Sequence, residues 1–324
     1  MSGEEYGHDN QTKRLNFLKL IPGGNPTILV TAPPLPAGER MKTALRLMHP
    51  LHLQAEQVGF VNTEAAPPRL DMMGGEFCLN ATRSLAFEAA RRNRFLPLAG
   101  TEDLFGLVSC SGQPAALPVR VADGKRLLRL SRQEQAPLFE LDCYVTMECG
   151  ASQEDMRQVA PGAVLVRLPG ICHLLLDENR HPQPTSPTSG LSQALEEEAA
   201  VWRKNLRLEN EPASGVVWYK DFCPDKGPDG VKTMYYRITP LVHVAETRTS
   251  ILESACGSAS LALSLLTAAQ AEPEREGWTL NLEIFQPSHE RLLVRLQKVA
   301  GKPDAYRAEI GGPVWLCAEG EAYI

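Results

Sequence analysis

The sequence predicts an α+β fold in two lobes, on three observations. Most of the chain reads as short β-rich runs separated by Gly/Pro turns, only three stretches read as helix, and two of those helices open on the same local pattern, once in each half. The chain has 324 residues, with 33 Lys+Arg against 39 Asp+Glu and a net charge of −6, so it lacks the basic excess that nucleic acid or an anionic membrane would require. A hydrophobic content of 43% is enough for one large core or two smaller ones. The opening MSGEEYGHDNQTKR has no apolar leader, and no later stretch approaches the ~18 apolar residues of a membrane span; the expected location is cytoplasmic.

Strands are expected, in order, at 25–31, 57–61, 117–121, 127–130, 139–147, 163–168, 173–176, 234–238, 241–244, 278–284, 291–296 and 314–317, where β-branched and aromatic residues alternate between turn signals. The first helix, 80–94, ends in Arg91, Arg92 and Arg94, cations suited to the carbonyl end. The helix at 195–208 runs from Glu196–Glu198 to Arg203, Lys204 and Arg207, the charge polarity of a solvated helix without chemistry. The helix at 258–271 is apolar on nearly every face, which suits enclosure by sheet. HPQPTSPTSGLS, at 181–192, is loop, and a lobe boundary falls near 131–137.

The two inner helices open on Cys78-Leu79-Asn80-Ala81-Thr82 and Cys256-Gly257-Ser258-Ala259-Ser260, a shared C-x-[NS]-A-[ST]. A helix N-terminus presents unpaired N–H groups that favour a thiolate or hold a carboxylate, and Asn80 and Ser258 are good capping types there. Two such sites face to face would grip one carboxylate and place its α-carbon between two sulfurs, one a base and the other an acid. A lone buried cysteine is ordinarily a small hydrophobe, the reading kept for Cys110, Cys143, Cys149, Cys172, Cys223 and Cys317. The eight cysteines show no C-x-x-C pair. No GxGxxG, Walker, G-x-S-x-G or zinc signature appears, so no cofactor or metal is expected. His49 and His52 have a metal-like i, i+3 spacing but no third ligand nearby, and read as surface or capping residues. His173 and His243 read as core histidines, with His173 the one that could line a cleft.

At these residues the chain resembles the diaminopimelate epimerase-like superfamily of cofactor-independent racemases and epimerases, and within it the histidine racemases that serve staphylopine-type metallophore biosynthesis. The similar segments are GNPTILV at 24–30, EQVGF at 56–60, GEFCLNAT at 75–82, ESACGS at 253–258, Gln286-Pro287 and GEAYI at 320–324. The resemblance implies two pseudo-symmetric lobes, each a β-barrel-like sheet around a central helix. Residues 1–132 with 312–324 would carry Cys78, and residues 133–311 would carry Cys256. It implies that Asn25 and Gln57 contact substrate, that Glu56 lies near the pocket, and that backbone amides at Leu79, Asn80, Gly257 and Ser258 bind its carboxylate, with Glu253 in the wall.

Two departures bear on distal recognition of diaminopimelate, and a third on the backbone geometry beside the first cysteine. An adjacent Glu-Arg pair is interrupted in Glu246-Thr247-Arg248, and two asparagine positions of those epimerases fall at Ile171 and near Ser214. The family's glycine after the first cysteine is Leu79. The expected function is a two-base histidine racemase; the alternatives are another amino-acid epimerase, diaminopimelate included, and a non-catalytic small-molecule binder of the same fold. The expected partner is a small amino acid, with the association state open, a homodimer included.

Overall fold

The computed structural model describes residues 13–126, 140–150, 152, 154–185, 191–221, 233–245, 248–271, 278–302 and 304–324. The helices are α1 (Ala37–Met48), α2 (Leu79–Arg91), α3 (Leu191–Leu206) and α4 (Gly257–Gln270). The strands of the first half are β1 (Arg14–Pro22), β2 (Thr27–Ala32), β3 (Gln57–Asn62), β4 (Arg69–Met72), β5 (Leu96–Pro97), β6 (Leu104–Cys110), β7 (Leu117–Val121) and β8 (Glu140–Gly150). Those of the second half are β9 (Met156–Ala160), β10 (Ala163–Leu168), β11 (Ile171–Asp177), β12 (Ala213–Asp221), β13 (Thr233–Val244), β14 (Thr249–Leu252), β15 (Thr279–Phe285), β16 (Arg291–Lys298) and β17 (Ala305–Tyr323). The α+β class expected from the sequence is the class observed.

Helices α2 and α4 are buried along almost their whole length, so each has to be surrounded. Around α2 the ladder runs β1-β2-β3-β4-β6-β7-β8-β17 and returns to β1, an eight-strand closed barrel. Around α4 runs the series β9-β10-β11-β12-β13-β15-β16-β17, with β14 on the flank of β13. Both series use β17. Its first part, Tyr306 to Gly311, pairs with β16, and its second part, Val314 to Tyr323, pairs with β1, the change falling at Gly312 with φ 135°. Residues of α2 such as Leu85 and Phe87 share one continuous core with Leu263 and Leu265 of α4. Two smaller apolar layers lie outside the sheet, α3 on β10–β13 and α1 on β1–β3.

Several boundaries differ from expectation. The first helix stops at Arg91 because Arg92 caps it and Asn93 turns to φ 58°, so Arg92 and Arg94 lie beyond its end. Helix α3 begins at Leu191, inside the stretch read as loop, and buries Ala194, Leu195, Ala199 and Arg203 against the sheet; it is half-packed, not wholly solvated. The runs 234–238 and 241–244 are one strand passing through Pro240, whose carbonyl accepts the Glu253 N–H at 3.1 Å. Helix α1 and strands β1, β4, β5, β6, β9, β12 and β14 were not expected. The strand at 127–130, the boundary at 131–137, Cys223 and the pair Glu246-Thr247 lie outside the described residues. No described helix is long and apolar enough to cross a membrane.

Candidate active site

Cys78 and Cys256 are themselves the N-caps of α2 and α4, in extended backbone, and each sulfur accepts the N–H three residues on, from Ala81 and Ala259, at 3.4 Å. This corrects the expected caps: Asn80 and Ser258 sit in the first turns, with other tasks. Asn80 Nδ2 donates to Ala255 O at 2.9 Å, the carbonyl just before Cys256, and so ties the two helix heads together. Ser258 Oγ lies 3.4 Å from Cys256 Sγ and 2.9 Å from His173 Nε2.

Leu79 takes no left-handed backbone and needs no glycine; its side chain crosses to the other helix head. A Cβ built on Gly257 would stand 2.4 Å from Leu79 Cδ2 and 3.0 Å from Leu79 Cβ, so the glycine opposite makes the room that the leucine occupies.

A polar chain links the sulfurs. Cys78 Sγ donates to Gln57 Oε1 at 2.8 Å, and Gln57 Nε2 donates to Thr27 Oγ1 at 2.7 Å and to Asn25 Oδ1. Asn25 Nδ2 donates to Glu56, whose carboxylate also accepts the Ser254 hydroxyl and, at 3.3 Å, the Ser254 N–H. Glu253, next in sequence, is hydrogen-bonded to the Cys256 thiol. All the residues nominated from sequence therefore fall into one cluster. Ser254 and Gln286 belong to it as well: Gln286 Oε1 accepts the Cys256 N–H at 2.9 Å, while its Nε2 donates to Ser260 Oγ and Ile284 O. Both lie in segments that resemble the racemases, but neither side chain announces a task in sequence.

Burial dominates the electrostatics. It pushes the Cys78 thiol up to about 12, against the pull of the Ala81 N–H and with the charges of Glu253 and Glu76 adding to the rise. Cys256 is raised well above its ordinary value by burial and then by Glu253. Glu56 is raised by burial, against its Ser254 and Asn25 hydrogen bonds. Both sulfurs are thiols at neutral pH in this environment, and an entering cation would favour ionisation of one of them. His173 is lowered to about 3 by burial, so its ring is neutral; it is a core histidine that also touches the α4 head, and Gly215 leaves it space. His49 caps α1 and its Nδ1 accepts the Leu51 N–H, and no group of three or more metal-ligating side chains occurs among the described residues.

Glu253 carries a testable pH dependence. Burial raises its carboxyl to about 7, the Cys256 thiol pulling the other way and the Glu56 charge adding to the rise. The folded chain thus keeps a proton that the unfolded chain releases near 4.5, so the stability from this group is full below that pH and is lost as pH rises through about 7. Thermal melts are expected to show wild type losing ground to Glu253→Gln across that window; a constant difference in Tm would contradict the assignment.

Two histidine racemases of Fusobacterium nucleatum subsp. nucleatum are similar over the full chain: one is 27% identical over 98% of this chain and 100% of its own, the other 25% over 98% and 99%. In fold the chain is similar to a hydroxyproline epimerase from Agrobacterium vitis, with TM-score 0.61 and 12% identity over 97% of this chain and 92% of that one. It is likewise similar to a PhzF-family phenazine biosynthesis protein from Bacillus anthracis, with TM-score 0.57 and 14% identity over 97% and 100%. The model of the histidine racemase CntK N-terminal domain matches residues 14–323, and the chain belongs to that family of amino-acid racemases, an isomerase.

Proposed function

We propose that the chain racemises histidine by a two-base reaction between Cys78 and Cys256. The observation that carries the reading is that each cysteine caps one of two inner helices whose heads are tied by the Asn80 to Ala255 hydrogen bond. One sulfur, as thiolate, takes the α-proton: an S–H bond forms, the Cα–H bond breaks, and its electron pair passes into the carboxylate as an enediolate. The other thiol returns its proton to the opposite face, the pair flows back to Cα, and the charge ends on the second sulfur. Backbone N–H groups at Leu79, Asn80, Gly257 and Ser258 would hold the carboxylate and stabilise the enediolate. Asn25, Gln57, Glu56 and Glu253 would line the remainder; a substrate ammonium beside those carboxyl groups supplies the cation that favours the thiolate.

The same reading takes the chain as two pseudo-symmetric lobes, residues 1–132 with 312–324 and residues 133–311. The repeated cysteine caps and the partition of β17 pairing at Gly312 support it. The core shared by α2 and α4 makes the lobes interdependent.

Incubation with single L-amino acids in D2O, followed by NMR, tests the substrate. Histidine is expected to lose its α-proton signal and yield the D-enantiomer. Exchange confined to another amino acid, diaminopimelate included, would replace histidine as substrate, and exchange with none would leave a binding protein.

A further inference from the structure

Arg83 is fully buried, one and a half turns into α2 from Cys78. Its three hydrogen bonds all go to neutral oxygens: Nε to Cys143 O at 3.1 Å, Nη2 to Pro313 O at 2.9 Å, and Nη1 to Asn80 Oδ1 at 3.4 Å. No carboxylate among the described residues lies within ion-pair distance of it. Charges that act on it are those of Asp142 and Tyr144 on β8, which strand alternation sets among the half-buried residues while Leu141, Cys143 and Val145 face inward, and those of Cys143 and Cys78. Burial lowers its guanidinium only to about 10, so it remains charged at neutral pH. A buried charge without an ion-pair partner is costly, and its natural counter-charge is an anion formed nearby.

The route to such an anion is short. Asn80 accepts from Arg83 through Oδ1 and donates through Nδ2 to Ala255 O, while its backbone N–H belongs to the group that faces Cys78 Sγ. The other head differs in sign. Helix α4, GSASLALSLLTAAQ, contains no basic residue, and the ionisable neighbour of Cys256 is the carboxyl of Glu253. Glu253 and Glu76 act on Cys78 too, but among the described residues only the Cys78 side has a cation behind it.

We propose that Arg83 is a positioning residue that sets the order of ionisation in the site: held behind the head of α2 and coupled through Asn80, it makes Cys78 the first of the two sulfurs to become a thiolate and leaves Cys256 the thiol. The inference rests on the two-cysteine reading. The free enzyme is then poised to take a proton from the Cys78 face, and the opposite direction begins only after the charge has passed to Cys256.

Alkylation by iodoacetamide, quantified per peptide by mass spectrometry from about pH 6 to about pH 10, reads each thiolate without relying on turnover. Cys78 is followed in Cys256→Ser, and Cys256 in Cys78→Ser. Cys78 is expected to titrate at least one pH unit below Cys256; equal midpoints, or the reverse order, would overturn the proposal even if no Arg83 variant folds. Adding Arg83→Met is expected to slow Cys78 alkylation about tenfold at a pH below both midpoints, one unit being a factor of ten in thiolate. Cys256 should stay within about twofold, and Arg83→Lys, which keeps the charge, should hold Cys78 within about threefold of its parent. Equal slowing of both cysteines, or of neither, by Arg83→Met would reject the charge assignment. Should Cys78→Ser still racemise histidine while the midpoints behave as stated, the reaction proposed above falls and the assignment of charge stands.

Discussion

Replacing Cys78 or Cys256 by serine is expected to lower net racemisation at least about a thousandfold, because each sulfur contributes a proton transfer worth roughly 10²–10⁴-fold and a serine hydroxyl at neutral pH supplies neither role. The two variants should fail differently. With Cys256 gone, the remaining sulfur still reaches one face of Cα, so slow deuterium entry into a single enantiomer should persist without inversion; with Cys78 gone, the other enantiomer should show it. Chiral chromatography run beside NMR exchange distinguishes the outcomes. Cys317→Ser, at an exposed position, should stay within about twofold of wild type. Full racemisation by either active-site variant would remove the two-base reaction, and exchange of both enantiomers in one variant would show that a group other than the paired sulfur works on the second face.

Gly257→Ala has the next largest expected effect. The new methyl would stand 2.4 Å from Leu79 Cδ2 and 3.0 Å from Leu79 Cβ, and because the second atom is not the free end of the side chain, a rotamer change cannot relieve the contact. The helix heads must separate, which strains the Asn80 to Ala255 hydrogen bond and shifts both caps. Overpacking of this kind costs about 1–3 kcal/mol, and the displacement of the caps should lower kcat at least about tenfold. Leu79→Ala in the same chain removes the branch at 2.4 Å but keeps the Cβ at 3.0 Å, so it should return part of the loss, a coupling that a double-mutant cycle measures from Tm and kcat. Additive effects would mean that the two side chains do not compete for the same space.

Helix α4 was legible in sequence because it is small and apolar on almost every side, which leaves enclosure by sheet as the stable solution, and α2 because it starts after a cysteine and runs to a cluster of cations at its carbonyl end. The paired cysteines were legible because their pattern recurs. Helix α1 was hidden by TAPPLP at its entry, and by a face on which only Thr43, Ala44 and Leu47 are buried. Strand β1 buries Phe17 and Leu18 in succession, one in the layer under α1 and the other in the main core, so the alternation that marks a one-sided strand is lost. The full length of β17 was masked by Gly311, Gly312, Pro313 and Gly320, and β13 by Pro240. At the site, the repeated pattern pointed to Cys78 and Cys256, and the family resemblance to Asn25, Glu56 and Gln57; Arg83 was not singled out, Gln286 stood only within a similar segment and His173 only as a core histidine that could line a cleft, because their parts arise from contacts with distant segments.

The shared strand bears on how the molecule is made. Because β17 is the strand that fills the gap between β1 and β8, the barrel around α2 stays an open sheet until residues 314–323 have left the ribosome. The first eight strands must wait with two unsatisfied edges and an apolar helix inside, through the synthesis of everything that follows. Maturation is therefore concerted: the half containing Cys78 acquires its final shape only together with the half containing Cys256, and a truncated product ending before β17 should be soluble in neither half.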